Sequence, residues 1–342
     1  MKAMVLERLC ELEKNQMPLT ITEVPKPLPA EYEVLLKVSA CGVCHTELDE
    51  IEGRTPPPRL PVILGHQVVG RVEAVGCRTG AMVRIGDRVG VAWIYAACGA
   101  CKFCLAGREN LCADFTATGR DANGGYAEYM TVAESFAHPL PDDFSDIQAA
   151  PLLCAGAIGY RSLRLTGLKN GQRLGLTGFG ASAHLVLKMV RYRFPDSEIY
   201  VFARDPEERA FALELGAVWA GNTTERAPHK LDSIIDTTPA WEPVVEALAN
   251  LEAGGRLVIN AIRKEGERDS LLKLDYPQHL WLEKEIKSVA NLTRMDVREF
   301  LALAAKMQLQ PTVQEFTLEQ ANQALLELKT GKIRGAKVLK IA

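Results

Sequence analysis

Four thiols are crowded into one short segment, Cys98-Gly-Ala-Cys101-Lys-Phe-Cys104 followed by Cys112, at spacings of three, three and eight residues. Two-residue gaps let a compact loop present thiolates tetrahedrally at about 2.3 Å from a zinc ion. Four protein ligands leave no open coordination position, so zinc held here would serve structure and not chemistry. Four unrelated loop cysteines would have no reason to keep this spacing. A second set of possible ligands is dispersed: Cys44 in Cys41-Gly-Val-Cys44-His45-Thr46-Glu47, His66 in Leu64-Gly65-His66-Gln67, and Cys154 in Leu152-Leu153-Cys154-Ala155-Gly156. Taken singly, each reads as an ordinary packing residue.

The stretch Gly178-Phe179-Gly180-Ala181-Ser182-Ala183 is a G-x-G-x-x-A fingerprint for dinucleotides. Gly178 would make the tight turn, Gly180 would let backbone approach a pyrophosphate, and Ala183 is small enough for helix and strand to pack. The fingerprint carries weight here because an apolar strand, Arg173 to Thr177, precedes it and a helix follows, whose N-terminus attracts phosphate. About 20 residues further on, an acid normally binds the ribose 2′-hydroxyl of NAD. That position is Ala203, followed at once by Arg204, whose guanidinium suits a 2′-phosphate. The sequence therefore favours NADP over NAD. Asp205 is the counter-argument: shifted by two residues it would restore the acid, and it could equally cap a helix starting at Pro206.

Positioning these residues takes two kinds of architecture. From Met1 to about Pro151 the pattern is short and β-like, with Glu33 to Ala40, Pro61 to Gly76 and Gly86 to Trp93 as Val-rich runs cut by Gly and Pro. From about Leu152, strands alternate with helices: Ala181 to Arg193, Glu198 to Ala203, Pro206 to Leu215, Leu231 to Asp236, Trp241 to Leu251 ending at Gly254 and Gly255, and Arg256 to Ile262. Such alternation implies a doubly wound parallel sheet with helices on both faces. Asp296 to Met307 and Thr317 to Lys329 read as amphipathic helices, the latter opened by a capping-box spacing from Thr317 to Gln320, and Arg334 to Ile341 as a last strand. The fold class is α/β.

The chain has 342 residues, of which 24% are charged and 47% hydrophobic, with a net charge of −3. That length favours two domains, and the charge offers no basic field for nucleic acid. The first residues mix Glu7, Arg8, Glu11, Glu13 and Lys14 into a short apolar stretch, unlike a signal peptide, and no apolar run is long enough for a membrane span. A soluble cytoplasmic protein is expected, and in that reducing compartment cysteines serve metals more often than disulfides. Cys10, Cys41 and Cys77 have no partner spacing and read as bystanders; His138, His184, His229 and His279 likewise stand without neighbouring ligands.

Taken together, the four-cysteine lobe, the dispersed Cys44, His66 and Cys154, the Gly124-Gly125-Tyr126-Ala127-Glu128-Tyr129 segment and the glycine fingerprint resemble the zinc-dependent medium-chain alcohol dehydrogenase family over nearly the whole chain. The resemblance implies a β-rich GroES-like catalytic domain over residues 1–151, with 291–342 returning to it, and a Rossmann cofactor domain over 152–290. It implies catalytic zinc on Cys44, His66 and Cys154, a second zinc on Cys98, Cys101, Cys104 and Cys112, and a fourth catalytic position left to water or substrate. It further implies a Thr46 hydroxyl that takes the alcohol proton, His45 and Arg334 on the pyrophosphate, Trp93 lining the substrate pocket, and a homodimer or homotetramer. The implied substrate is a small alcohol or aldehyde, with primary aliphatic or benzylic alcohols favoured by Trp93.

The chain departs from the commoner family pattern in three places. Gln67 stands where an acid usually follows the ligand histidine, Glu47 replaces a frequent aspartate that orients that histidine, and Asp49 lies where many members carry the outer histidine of the proton relay. Asp49 could accept the proton in its place, and it reads equally as a solvated helix carboxylate. Two other readings compete. A nucleic-acid-binding zinc module lacks a basic face and leaves the glycine fingerprint unexplained. A zinc-free quinone or enone reductase of the same superfamily would keep the fingerprint and lose the ligands.

Overall fold

The computed structural model describes residues 1–331 and 335–341. The chain divides into two compact units, Met1–Ala157 with Leu292–Ala342, and Ile158–Asn291.

The first unit is built on a sheet in the order Ala137–Pro139, Arg88–Val91, Gln67–Val75, Glu33–Val43, Ala336–Lys340 and Val313–Thr317, with Tyr129–Ala133 also paired to Glu33–Val43. The pairings are antiparallel except that between Val313–Thr317 and Ala336–Lys340. Val34, Leu36 and Val38 alternate along one strand and share a core with Val68, Val72, Val89 and Val91 from its neighbours, the period-two pattern of a sheet with one face inward. The Val-rich run from Pro61 does not form one strand. It breaks into Val62–Ile63 and Gln67–Val75 because Gly65 takes a φ of +97°, and His66 stands in that break.

The second unit carries a six-stranded sheet in the order Trp219–Gly221, Glu198–Phe202, Arg173–Thr177, Leu231–Asp236, Leu251–Ile259 and Glu285–Ser288, parallel throughout. Helices Ala181–Arg193, Pro206–Glu214 and Glu242–Asn250 connect its strands. Its inner strands read as apolar runs because both faces are covered, and Ile234, Leu257, Val244 and Leu248 pack into one core. The doubly wound α/β expectation holds.

Two expectations differ in detail. The helix thought to run to Gly254 and Gly255 ends at Asn250, whose Nδ2 donates to the Glu246 carbonyl at 3.1 Å. Both glycines lie within the strand Leu251–Ile259, beside a register shift, so they mark a bulge instead of a helix stop. Near the C-terminus, Thr317 does open a capping box with Gln320, but a 3₁₀ turn, Leu318–Gln320, intervenes before the helix Ala321–Lys329. Among the described residues, no helix is long and apolar enough to cross a membrane.

Candidate active site and metal centres

The helix His45–Ile51 is short and begins immediately after Cys44. Starting there fixes the thiol at the helix entrance and puts Thr46, Glu47 and Asp49 on its first turns. His66 is held by the break at Gly65, where a Cβ would lie 2.4 Å from the Tyr126 ring, so a side chain there would displace the ligand loop. Cys154 follows the 3₁₀ turn Ala150–Leu153 and precedes the helix Ala155–Thr166. These separate elements bring one atom each from Cys44, His66 and Cys154 within 4.8 Å of one another. His66 Nε2 lies 3.3 Å from Cys154 Sγ. Zinc bonds of about 2.3 Å to sulfur and 2.0–2.1 Å to nitrogen require ligand atoms about 3.5–3.8 Å apart in a tetrahedron, so the set fits the ion.

Protonation of these three side chains follows the same logic. Cys154 donates to Cys44, which holds the Cys44 thiol well below the ordinary cysteine range, helped against burial by His66. Cys154 is correspondingly pushed well above it, by that hydrogen bond and by burial. Burial would depress His66, but the adjacent Glu47 carboxylate and Cys44 outweigh it and raise the imidazole well above its usual value. His66 Nδ1 faces Glu47 Oε1 at 2.7 Å, which leaves Nε2 turned to the thiols. Glu47 therefore reaches the histidine despite being one methylene longer than the commoner aspartate. Gln67 is buried and packs against Gly42, and it brings no charge.

Thr46 Oγ1 lies 3.7 Å from Cys44 Sγ. Asp49 is not a solvated helix carboxylate: its Oδ1 accepts from Arg54 Nε at 2.9 Å and Nη2 at 2.7 Å. Trp93 forms a tilted pair with Phe115 at 5.3 Å between ring centroids, and the Arg120 guanidinium lies 5.4 Å above the Trp93 ring. A residue the sequence did not single out is Glu50, on the same helix, fully buried and with neither carboxylate oxygen hydrogen-bonded. The signal was present as an i, i+3 pair with Glu47, which places both acids on one helix face.

The four-cysteine lobe is assembled as its spacing implied. The sulfurs of Cys98, Cys101, Cys104 and Cys112 lie within 4.8 Å of one another, with Cys112 Sγ 3.5 Å and Cys104 Sγ 3.9 Å from Cys98 Sγ. Backbone N–H groups of Ala100 and Cys101 donate to Cys98 and bring its thiol down to about 7, whereas burial drives Cys104 up to about 12. Four soft ligands at these separations suit a closed zinc site.

In the second unit, Gly178 has a φ of +75° and donates its N–H to the Phe202 carbonyl at 2.8 Å. A Cβ there would meet Thr237 Oγ1 at 2.9 Å. Around Gly180 the space is open, and no side chain caps the helix Ala181–Arg193 that it precedes. The uncapped N–H groups thus face room for an anion, while Ala183 is fully buried where helix and strand pack. The strand Glu198–Phe202 ends before Ala203, which is buried and carries no acid. Asp205 caps the helix Pro206–Glu214, accepting from the Glu207 N–H at 2.8 Å. Arg204 Nη2 is held by Glu267 Oε1 at 2.6 Å, Glu267 Oε2 at 2.8 Å and Glu242 Oε2 at 3.1 Å. His45 is exposed on the first unit, and Arg334 lies outside the described residues.

Comparison with known proteins agrees with this geometry. Residues 30–142 match the alcohol dehydrogenase GroES-like domain. Over its whole length the chain is 44% identical to a protein named probable alcohol dehydrogenase AdhA from Mycobacterium tuberculosis, covering 97% of it. It is 33% identical to an alcohol dehydrogenase of Geobacillus stearothermophilus, over 94% of this chain and 96% of that one. The fold superposes on a crystal structure of an NAD-dependent alcohol dehydrogenase with a TM-score of 0.89, at 23% identity and full coverage of both chains.

Proposed function

The chain belongs to the zinc-type medium-chain alcohol dehydrogenase family, and we propose that it is a zinc-dependent cytoplasmic enzyme moving hydride between a primary aliphatic or benzylic alcohol and NADP, with aldehyde reduction as the reverse. The convergence of Cys44, His66 and Cys154 on one point carries this reading. Three ligands leave a coordination position open, the arrangement of catalytic zinc, whereas the four-cysteine lobe closes its own.

When bound, the zinc ion supplies a Lewis acid that lowers the pKa of the alcohol. The protein's residues do the rest. Glu47 holds His66 in one tautomer and orientation. The Thr46 hydroxyl, beside Cys44, takes the alcohol proton, and Asp49, held in place by Arg54, is the outer acceptor. Trp93 and Phe115 form an aromatic wall that suits an apolar substrate. Gly178, Gly180 and the uncapped helix behind them cradle the pyrophosphate, with His45 and Arg334 assigned to it by family likeness. The preference for NADP rests on the absence of an acid at Ala203, the commitment of Asp205 to its helix, and Arg204 beside them. A homodimer or homotetramer is proposed on family likeness, and sedimentation giving a monomer at micromolar concentration would refute it.

Metal analysis with Cys154→Ala tests the central reading. Wild type should carry two zinc ions per chain and oxidise alcohols. The variant should lose one ion and turnover while keeping its fold. Activity near wild type in the variant would remove Cys154 from the ligand set, and a metal-free active wild type would favour the quinone or enone reductase.

A further inference from the structure

Arg204 does not stand alone at the end of its strand. Two carboxylates from separate elements meet its Nη2, Glu242 at the first position of the helix Glu242–Asn250 and Glu267 from the loop after the strand Leu251–Ile259. That loop is pinned to the carboxyl end of the strand Leu231–Asp236. Lys264 is half-buried there with its side chain 7% exposed, paired with Asp236 and donating to the carbonyls of Thr238 at 2.5 Å and Ala240 at 2.9 Å. Trp241 N–H donates to the Gly266 carbonyl at 3.0 Å, and Glu265 N–H to that of Pro239 at 3.1 Å. Glu267 itself has a φ of +59°, in the left-handed region that aims its side chain off this anchored turn. Its carboxylate is thus aimed at Arg204 from an anchored turn and stays open to solvent, the Arg204 side chain being 54% and that of Glu267 35% exposed.

The carboxyl ends of a doubly wound sheet are where a dinucleotide lies. We propose that Glu267 sets cofactor selectivity by competing with a 2′-phosphate for Arg204, so that the preference for NADP is held well below what the guanidinium alone would give. The inference rests on the assignment of Arg204 to the 2′-phosphate. A dianion reaching Arg204 must displace Glu267 from Nη2 or settle beside it, and like charges at such range oppose binding. A ribose 2′-hydroxyl meets no such opposition, because a carboxylate accepts its hydrogen bond.

The test measures binding, not turnover. Adenosine 2′,5′-bisphosphate and 5′-AMP, then NADPH and NADH, are titrated against wild type, Glu267→Gln, Glu242→Gln and Arg204→Ala by calorimetry or nicotinamide fluorescence. Glu267→Gln should tighten the 2′-phosphorylated ligands about tenfold and change the others less than about threefold. Arg204→Ala should weaken the 2′-phosphorylated ligands alone. If Arg204→Ala has that effect and Glu267→Gln leaves their affinity unchanged, the competition is overturned while the Arg204 assignment stands. If Arg204→Ala changes nothing, the assignment itself fails and the competition with it. Unchanged affinity for 5′-AMP in Glu267→Gln shows that the variant is folded; should it be lost, Glu242→Gln carries the same test from the second carboxylate, with a tightening of the same sign expected.

Discussion

Glu47 Oε1 lies 2.7 Å from His66 Nδ1, and the other oxygen of the same carboxylate accepts the Cys44 N–H at 2.7 Å. One buried side chain thus ties together two of the three candidate zinc ligands, from a helix and a loop about 20 residues apart. Outer partners of this kind fix ring orientation and ligand basicity, and their loss costs about 10–100-fold in metal affinity. Glu47→Gln is expected to weaken zinc retention at the catalytic site by that factor in a chelator competition. The four-cysteine zinc should be unaffected. Equal retention in variant and wild type would show that Glu47 is a packing residue.

The Cys98 to Cys112 lobe is expected to support the fold without touching the reaction, because a closed tetrahedral site offers substrate no position. Cys101→Ser should lower the thermal midpoint and release one zinc per chain. A variant that stayed fully metallated and equally stable would count against this.

Glu50 has both oxygens buried without a hydrogen bond, and burial, reinforced by Glu47, raises its pKa well above the ordinary value of 4.5. A carboxyl whose folded pKa exceeds its unfolded one favours folding below about pH 4.5 and loses that contribution as pH rises through the folded value. In metal-free protein, Glu50→Gln should therefore match wild type near pH 4 and exceed it near pH 7.5, by about 1–3 kcal/mol. Denaturant midpoints at the two pH values decide it. A variant less stable than wild type at the higher pH would mean that Glu50 has a favourable partner.

Asp205 is expected to matter for stability and not for cofactor choice. Its side chain accepts the Glu207 N–H at 2.8 Å, and losing such a cap costs about 1 kcal/mol. Asp205→Ala should show that loss in denaturant unfolding while leaving the ratio of kcat/KM for NADP and NAD unchanged. A shift in the ratio would return Asp205 to the ribose.

Legibility in the sequence followed the distance over which each feature is made. The Cys98 to Cys112 cluster lies within one short continuous segment, so spacing alone pointed to it. The strand, glycine turn and helix from Arg173 to Arg193 form one continuous unit, and periodicity placed both elements with their observed bounds. Alternation of strands and helices was enough for the parallel sheet. The edge strand Glu285–Ser288 escaped notice because it is exposed, and its short polar sequence has no apolar run to reveal it.

Cys44, His66 and Cys154 span 110 residues and could be grouped from sequence only through family likeness; the fold brings them within 4.8 Å. Whether Glu47 reaches His66 depended on a helix start and a glycine break that must meet in space. Asp205 was ambiguous because an acid after a strand can cap a helix or bind a ribose; in the fold its side chain accepts the Glu207 N–H. Arg204 was visible as a cation, but Glu242 and Glu267 reach it from 38 and 63 residues away. Local sequence thus determined which side chains were available for chemistry and which backbone would carry them. Charge pairing and burial are properties of surfaces brought together from distant parts of the chain, and those only the tertiary structure decided.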